Sequence, residues 1–233
     1  MSSMTQYFVP VCLYPHTKYR TRAGVIDLFE RYELHSHHHL IVIADRLLVL
    51  DRLVTGRYWS VTAMATKARQ EAEQILNLIK RVAHKMAAQS RGRIVFWDEI
   101  AEAGQFCTFS DRLRGQILTD HRLAGEIEEF VERRVARFGL GSLPERERAY
   151  EREYLLSEVC MSVFCTEVLG FSNEVWERPP AANVPDPLKL LYENRAELVT
   201  RVTGRPVARR LHFLYSDRSR HADHVQQAAL AEG

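Results

Sequence analysis

The run Leu40-Ile-Val-Ile-Ala44 constrains this chain most, because five consecutive apolar residues leave no polar face. An unbroken apolar run of this length fits a strand covered on both sides, as in a parallel sheet lying between layers of helices. Parallel neighbours need crossover connections. Tyr7–Tyr14 reads as an earlier strand, although Pro10 forbids one ladder hydrogen bond and predicts a strand start or an irregular edge there. Between the two, Arg22–Tyr32 places Val25, Ile26, Leu28 and Phe29 at helical spacing, which completes a βαβ unit.

Later segments repeat the alternation. Strands are expected at Arg93–Trp97, Val175–Arg178 and Arg210–Tyr215, and helices at Ser60–Ala88, Ser110–Phe138, Glu145–Leu169 and Pro187–Val199. This pattern predicts an α/β fold, a single Rossmann-like domain with a mostly parallel sheet flanked by helices. The domain is expected to span residues 1–216; residues 217–233 turn polar and then alanine-rich, and read as a flexible C-terminal tail.

A length of 233 residues with 46% hydrophobic and 27% charged residues matches one ordinary core. No apolar run approaches the roughly 20 residues of a membrane span, and Met-Ser-Ser-Met-Thr-Gln lacks the features of a leader, so a cytoplasmic protein without a membrane partner is expected. Cys12, Cys107, Cys160 and Cys165 are scattered and contain no Cys-x-x-Cys pair, which argues against zinc and against a disulfide framework. His35, His37, His38 and His39 crowd one segment, but neighbours in an extended chain alternate faces and do not converge on a metal. Neither metal nor cofactor is expected.

Chemistry concentrates at three places. Ligands of an open parallel sheet bind at the carboxyl ends of its strands, and Cys12 ends the first strand, where a nucleophile would stand. His16 is the nearest local group able to lower its pKa, while the plain alternative is a small buried residue. Tyr154 and Glu158 lie four apart on one helix face, an arrangement that can hold a substrate amine and its neighbouring carbonyl together. From Ser60 to Arg93 the chain carries Lys67, Arg69, Lys80, Arg81, Lys85, Arg91 and Arg93, with acids limited to Glu71 and Glu73. Since Ile75, Leu76, Leu78, Ile79 and Val82 form the core stripe, these cations face outward, toward solvent or a phosphate backbone. Local clustering has to carry any such contact, because 32 basic residues against 30 acidic ones leave a net charge of only +2.

The segments Leu47-Leu-Val-Leu-Asp51-Arg-Leu-Val-Thr-Gly56, Ala65-Thr-Lys-Ala-Arg69-Gln-Glu-Ala-Glu73, Phe96-Trp-Asp-Glu-Ile100 and Tyr154-Leu-Leu-Ser-Glu158 resemble, in order and spacing, successive blocks of the tRNA-dependent cyclodipeptide synthases. The resemblance covers roughly Tyr7 to Tyr192. It implies a domain similar to the class I aminoacyl-tRNA synthetase catalytic domain, with aminoacyl-tRNA as partner and no ATP-dependent step. It also implies ping-pong acyl transfer: one aminoacyl group moves to a serine after the first strand, a second is accepted, and a cyclic dipeptide leaves.

Carried over by the resemblance, Cys12 falls at the nucleophilic serine, Tyr154 at the residue holding the aminoacyl amine, and Glu158 at the carboxylate that binds that ammonium and assists proton transfer. The basic helix corresponds to a platform for the tRNA acceptor arm. Besides cysteine in place of that serine, a second feature departs from the family. Its Tyr-His or Tyr-Pro is replaced by Ala182 and Asn183 before Val184-Pro-Asp-Pro187, which leaves Asn183, Tyr14 or His16 to supply the missing hydrogen bond. Fungal relatives that install arginine are also distant from the bacterial members, and the resemblance extends to that branch; a guanidinium would need an acidic partner, for which Asp45, Asp51 and Asp186 are the candidates. Two other functions fit the same residues: a cysteine amidase using Cys12, Glu158 and a histidine, and a tRNA-binding relative without catalysis. The oligomeric state is left open.

Overall fold

The apolar run Leu40 through Ala44 is buried from end to end, and its strand lies within a five-stranded sheet. The computed structural model describes residues 5–13, 17–45, 60–137, 144–177 and 186–214. Its strands are β1 (Gln6–Val11), β2 (His38–Ile43), β3 (Gly92–Phe96), β4 (Asn173–Glu177) and β5 (Arg210–Leu214). They lie in the order β3-β2-β1-β4-β5, and every pairing is parallel. The helices are α1 (Arg22–Arg31), α2 (Val61–Lys85), α3 (Trp97–Ala101), α4 (Gly104–Thr119), α5 (His121–Arg137), α6 (Glu145–Val163), α7 (Asp186–Asn194) and α8 (Ala196–Thr203). This is the Rossmann-like order, in which the chain builds outward from β1 on both sides.

Strand alternation divides the core in two. Val9, Val11, Ile41 and Ile43 face α1 and α2, where Ala68, Ala72, Ile75, Ile79 and Val82 form the matching stripe. Two alanines in that stripe let α2 approach the sheet closely. Phe8, Leu40, Val42, Ala44 and Trp176 face the opposite layer, against Phe106, Leu113, Ile127, Leu155, Val159 and Leu188 from the helices after β3. His39, within the histidine-rich segment, is a core residue: its ring packs on Phe29 and lies where a side chain on Gly92 would have to be, so only glycine fits there. Burial lowers its pKa.

Three expectations are corrected. Pro10 lies inside the central strand, paired with Val42, and not at a start or an edge. Its cost falls on the ladder to β4. The helix expected over Ser110–Phe138 is two helices, because Asp120 turns extended and its carboxylate accepts from the N–H groups of Arg122 and Leu123, both at 3.0 Å. The helix expected over Pro187–Val199 breaks at Arg195, whose Nε donates to Asp120 at 2.8 Å, so one ion pair joins both breaks. The expected C-terminal tail lies outside the described residues. Among the described residues, no helix is long and apolar enough to cross a membrane.

Candidate active site

In the order β3-β2-β1-β4-β5 the direction of building reverses between β1 and β4, and ligands of such sheets bind at the carboxyl ends beside that reversal. Cys12 follows the last residue of β1 and is partly exposed there. Phe8, four residues before it on β1, faces the layer to which α6 belongs. On α6, Tyr154 is 5% exposed and Glu158 8%, two polar side chains sheltered on the face turned to the sheet. Phe8 and Tyr154 belong to the same core cluster, so the Tyr154/Glu158 pair lies on the Phe8 side of the sheet.

A second buried acid lies about two turns before Glu158 on the same helix, and one turn before Tyr154. Glu151 is fully buried and paired with Arg134 of α5, whose guanidinium sits 5.1 Å above the Tyr154 ring. A cation over an aromatic face is attractive and directional, so this pair braces the tyrosine. Sequence periodicity did not expose it, because Arg134 reads as one more surface charge on α5.

The sequence assigned Asp45 to substrate and Arg69 to tRNA. In the structure they bind each other. Asp45 lies just past β2, is buried, and accepts from Arg69 at 2.8 Å, while the Arg69 guanidinium stacks 3.4 Å from the Phe96 ring centroid and also reaches Glu73 at 3.4 Å. Lys67, Lys80, Arg81 and Lys85 project from α2 into solvent, the last three with Asn77 and His84 around a shallow groove. Arg91 and Arg93 are exposed at the start of the edge strand β3. The stripe from Lys67 to Lys85 is about 27 Å long at 1.5 Å per residue. Tyr14, His16, Asp51 and Asn183 lie outside the described residues, as does the side chain of Asp186, whose backbone begins α7.

Glu177 is the polar residue at this edge that sequence reading missed. It ends β4 and is 5% exposed; Thr17 Oγ1 donates to it at 2.5 Å and the Lys18 N–H at 2.6 Å. The Tyr19 hydroxyl is buried nearby, close enough for both the carboxylate and Cys12 to act on it electrostatically. A carboxylate directly after the apolar pair Val175-Trp176, at the carboxyl end of a strand, was the available signal.

Burial pushes the Glu177 carboxyl above the ordinary value of 4.5, and the bonds from Thr17 and Lys18 offset this only in part. The folded protein therefore keeps this proton to higher pH than the unfolded chain does, and stability falls as pH rises through the window that opens at 4.5. Glu177→Gln cannot ionise. The Tm of the wild type relative to that variant is expected to be constant below the window and to fall as pH is raised to neutrality. A difference that moved in favour of the wild type over the same series would contradict the assignment.

No protein-family model and no curated protein matches the sequence. Solved structures do match. A cyclodipeptide synthase (CDPS) from Fluoribacter dumoffii is 16% identical, with TM-score 0.67 over 90% of this chain and 89% of its own. A Mycobacterium tuberculosis protein, whose structure relates cyclodipeptide synthetases to type I tRNA synthetases, is 14% identical, with TM-score 0.59 over 81% of this chain and 77% of its own. A cyclodipeptide synthase from Candidatus Glomeribacter gigasporarum, bound to Phe-tRNAPhe, is 15% identical, with TM-score 0.59 over 91% of this chain and 87% of its own. At such identities the likeness is one of fold: this chain has the Rossmann-like fold that these cyclodipeptide synthases share.

Proposed function

We propose that the chain is a tRNA-dependent cyclodipeptide synthase. Cys12 takes an aminoacyl group from one aminoacyl-tRNA as a thioester, releasing the tRNA 3′ hydroxyl; the amine of a second aminoacyl group attacks that thioester, and cyclisation frees the second tRNA. Tyr154 and Glu158 hold the ammonium of the acyl group and move its proton, and Asn183 supplies a hydrogen bond where the family's tyrosine is missing. One observation carries the reading: Cys12 follows β1 at the strand reversal, and Tyr154 and Glu158 are buried on α6 in the layer that packs on the Phe8 side of the sheet. The solved structures of like fold support it. Arginine is the amino acid to test first, with Asp51 and Asp186 as partners, since a substrate guanidinium at Asp45 would have to displace Arg69. The test is liquid chromatography with mass detection of cyclic dipeptides, after incubation with the twenty aminoacyl-tRNAs singly and in pairs. A product supports the synthase; no product from any pair contradicts it.

The exposed cations of α2 and β3 are proposed to bind tRNA phosphates. A Lys80→Ala, Arg81→Ala, Lys85→Ala triple variant is expected to bind tRNA more weakly and to lower the slope of log K against log salt by roughly two to three, about one for each phosphate left without its cation. An unchanged slope would place the tRNA elsewhere.

A further inference from the structure

β1 and β4 are neighbours, yet their ladder consists of Tyr7↔Asn173 and Phe8↔Glu174 alone, whereas β1 pairs with β2 along its whole length. Backbone chemistry accounts for the early end. The Val11 carbonyl accepts from the Ala44 N–H on the β2 side, so alternation turns the Pro10 nitrogen toward β4, and proline has no hydrogen to donate. Among the described residues, no ladder pair joins β1 to β4 beyond Phe8, and Cys12 lies past that point.

The Glu177 carboxylate spans the gap. One oxygen takes the Thr17 hydroxyl and the other the Lys18 N–H, at the start of the short 3-10 helix Lys18–Arg20, so residues about 160 apart in sequence are fastened at the carboxyl edge. Both Thr17 and Glu177 are buried, and Thr17 also accepts from the Tyr19 N–H at 3.4 Å. Charge-assisted bonds sheltered from water are short and strict in direction.

We propose that Glu177 is a positioning residue for Cys12. By holding the Thr17–Lys18 turn against the end of β4, it sets the width of the crevice where the two strands part, and with it the direction in which the thiol meets an acyl donor. The proposal rests on the synthase reading for the identity of that donor. It also explains why a carboxylate whose ionisation costs stability stands at this edge: the clamp trades stability for geometry.

The test compares wild type, Glu177→Ala, Glu177→Gln and Thr17→Val. The readouts are amide exchange at Lys18, alkylation of Cys12 by iodoacetamide followed on its peptide, and single-turnover adduct formation at saturating aminoacyl-tRNA. Glu177→Ala is expected to speed exchange at Lys18 and alkylation at Cys12, and to slow adduct formation roughly 10- to 100-fold, the scale set by displacing a reacting group by about 1 Å. tRNA affinity should stay within about twofold, since the substitution removes none of the cations proposed to meet phosphate. Glu177→Gln, which still accepts from the Lys18 N–H, should restore most of the rate, and Thr17→Val should fall between. A residue that only stabilised the fold would lower Tm and leave the rate per folded molecule unchanged; that result, or unchanged Lys18 exchange in Glu177→Ala, overturns the proposal. Should Glu177→Ala fail to fold, Thr17→Val carries the same test with the carboxylate in place. If the wild type forms no adduct, the synthase reading fails, while exchange and alkylation still decide the clamp.

Discussion

Cys12→Ala is expected to abolish both the aminoacyl-enzyme and the cyclic product, a loss of roughly 10³-fold or more, on the scale seen when a covalent nucleophile is removed. The variant should fold as the wild type does, because Cys12 is partly exposed and lies outside both core clusters. Binding of aminoacyl-tRNA should persist, which separates lost chemistry from lost substrate. Cys12→Ser is the informative companion. The proposed family uses a serine, so an oxygen nucleophile is expected to retain part of the activity, at a rate that reports how far this site has adapted to a thiol. Quench-flow with labelled aminoacyl-tRNA measures both. Full turnover by Cys12→Ala would remove the covalent step from the account.

The second large effect is expected at Glu158. At 8% exposure its charge is shielded from water, where its attraction for a substrate ammonium is stronger than at the surface. Glu158→Gln keeps the shape and an acceptor oxygen but removes the charge and the proton acceptor, and should cost roughly 10²- to 10⁴-fold in turnover, the range of general acid–base groups. Tyr154→Phe should cost less, because Arg134 still holds the ring and only the hydroxyl is removed. If adduct formation survives in Glu158→Gln while product formation fails, the carboxylate serves the second amine; if both fail, it serves the first. Activity at the wild-type level would exclude it from the site.

What the sequence exposed follows from the range of each interaction. Leu40 to Ala44 and the α2 stripe are local patterns, and both appear as read. Tyr154 and Glu158 share a face because helical spacing alone puts them there. The Asp45–Arg69 pair joins different elements, and nothing in either local pattern tells which surface charge will meet which buried acid. The Glu177 clamp is harder still, since it joins the first strand's exit to the fourth strand's end. The break at Asp120 has a local signal, an aspartate able to cap before His-Arg-Leu, but the apolar period runs through it unbroken and hides the boundary. Pro10 was read by its rule for edges; the parallel sheet accommodates it by ending one ladder early.

The central claim is covalent acyl transfer to Cys12. Intact-protein mass spectrometry after mixing the purified protein with a pool of aminoacyl-tRNAs, beside Cys12→Ala, tests it most directly. The account predicts a wild-type species heavier by one aminoacyl residue, absent from the variant, whose mass names the first amino acid. A wild-type protein that binds the tRNAs, stays unmodified and releases no cyclic dipeptide would contradict it.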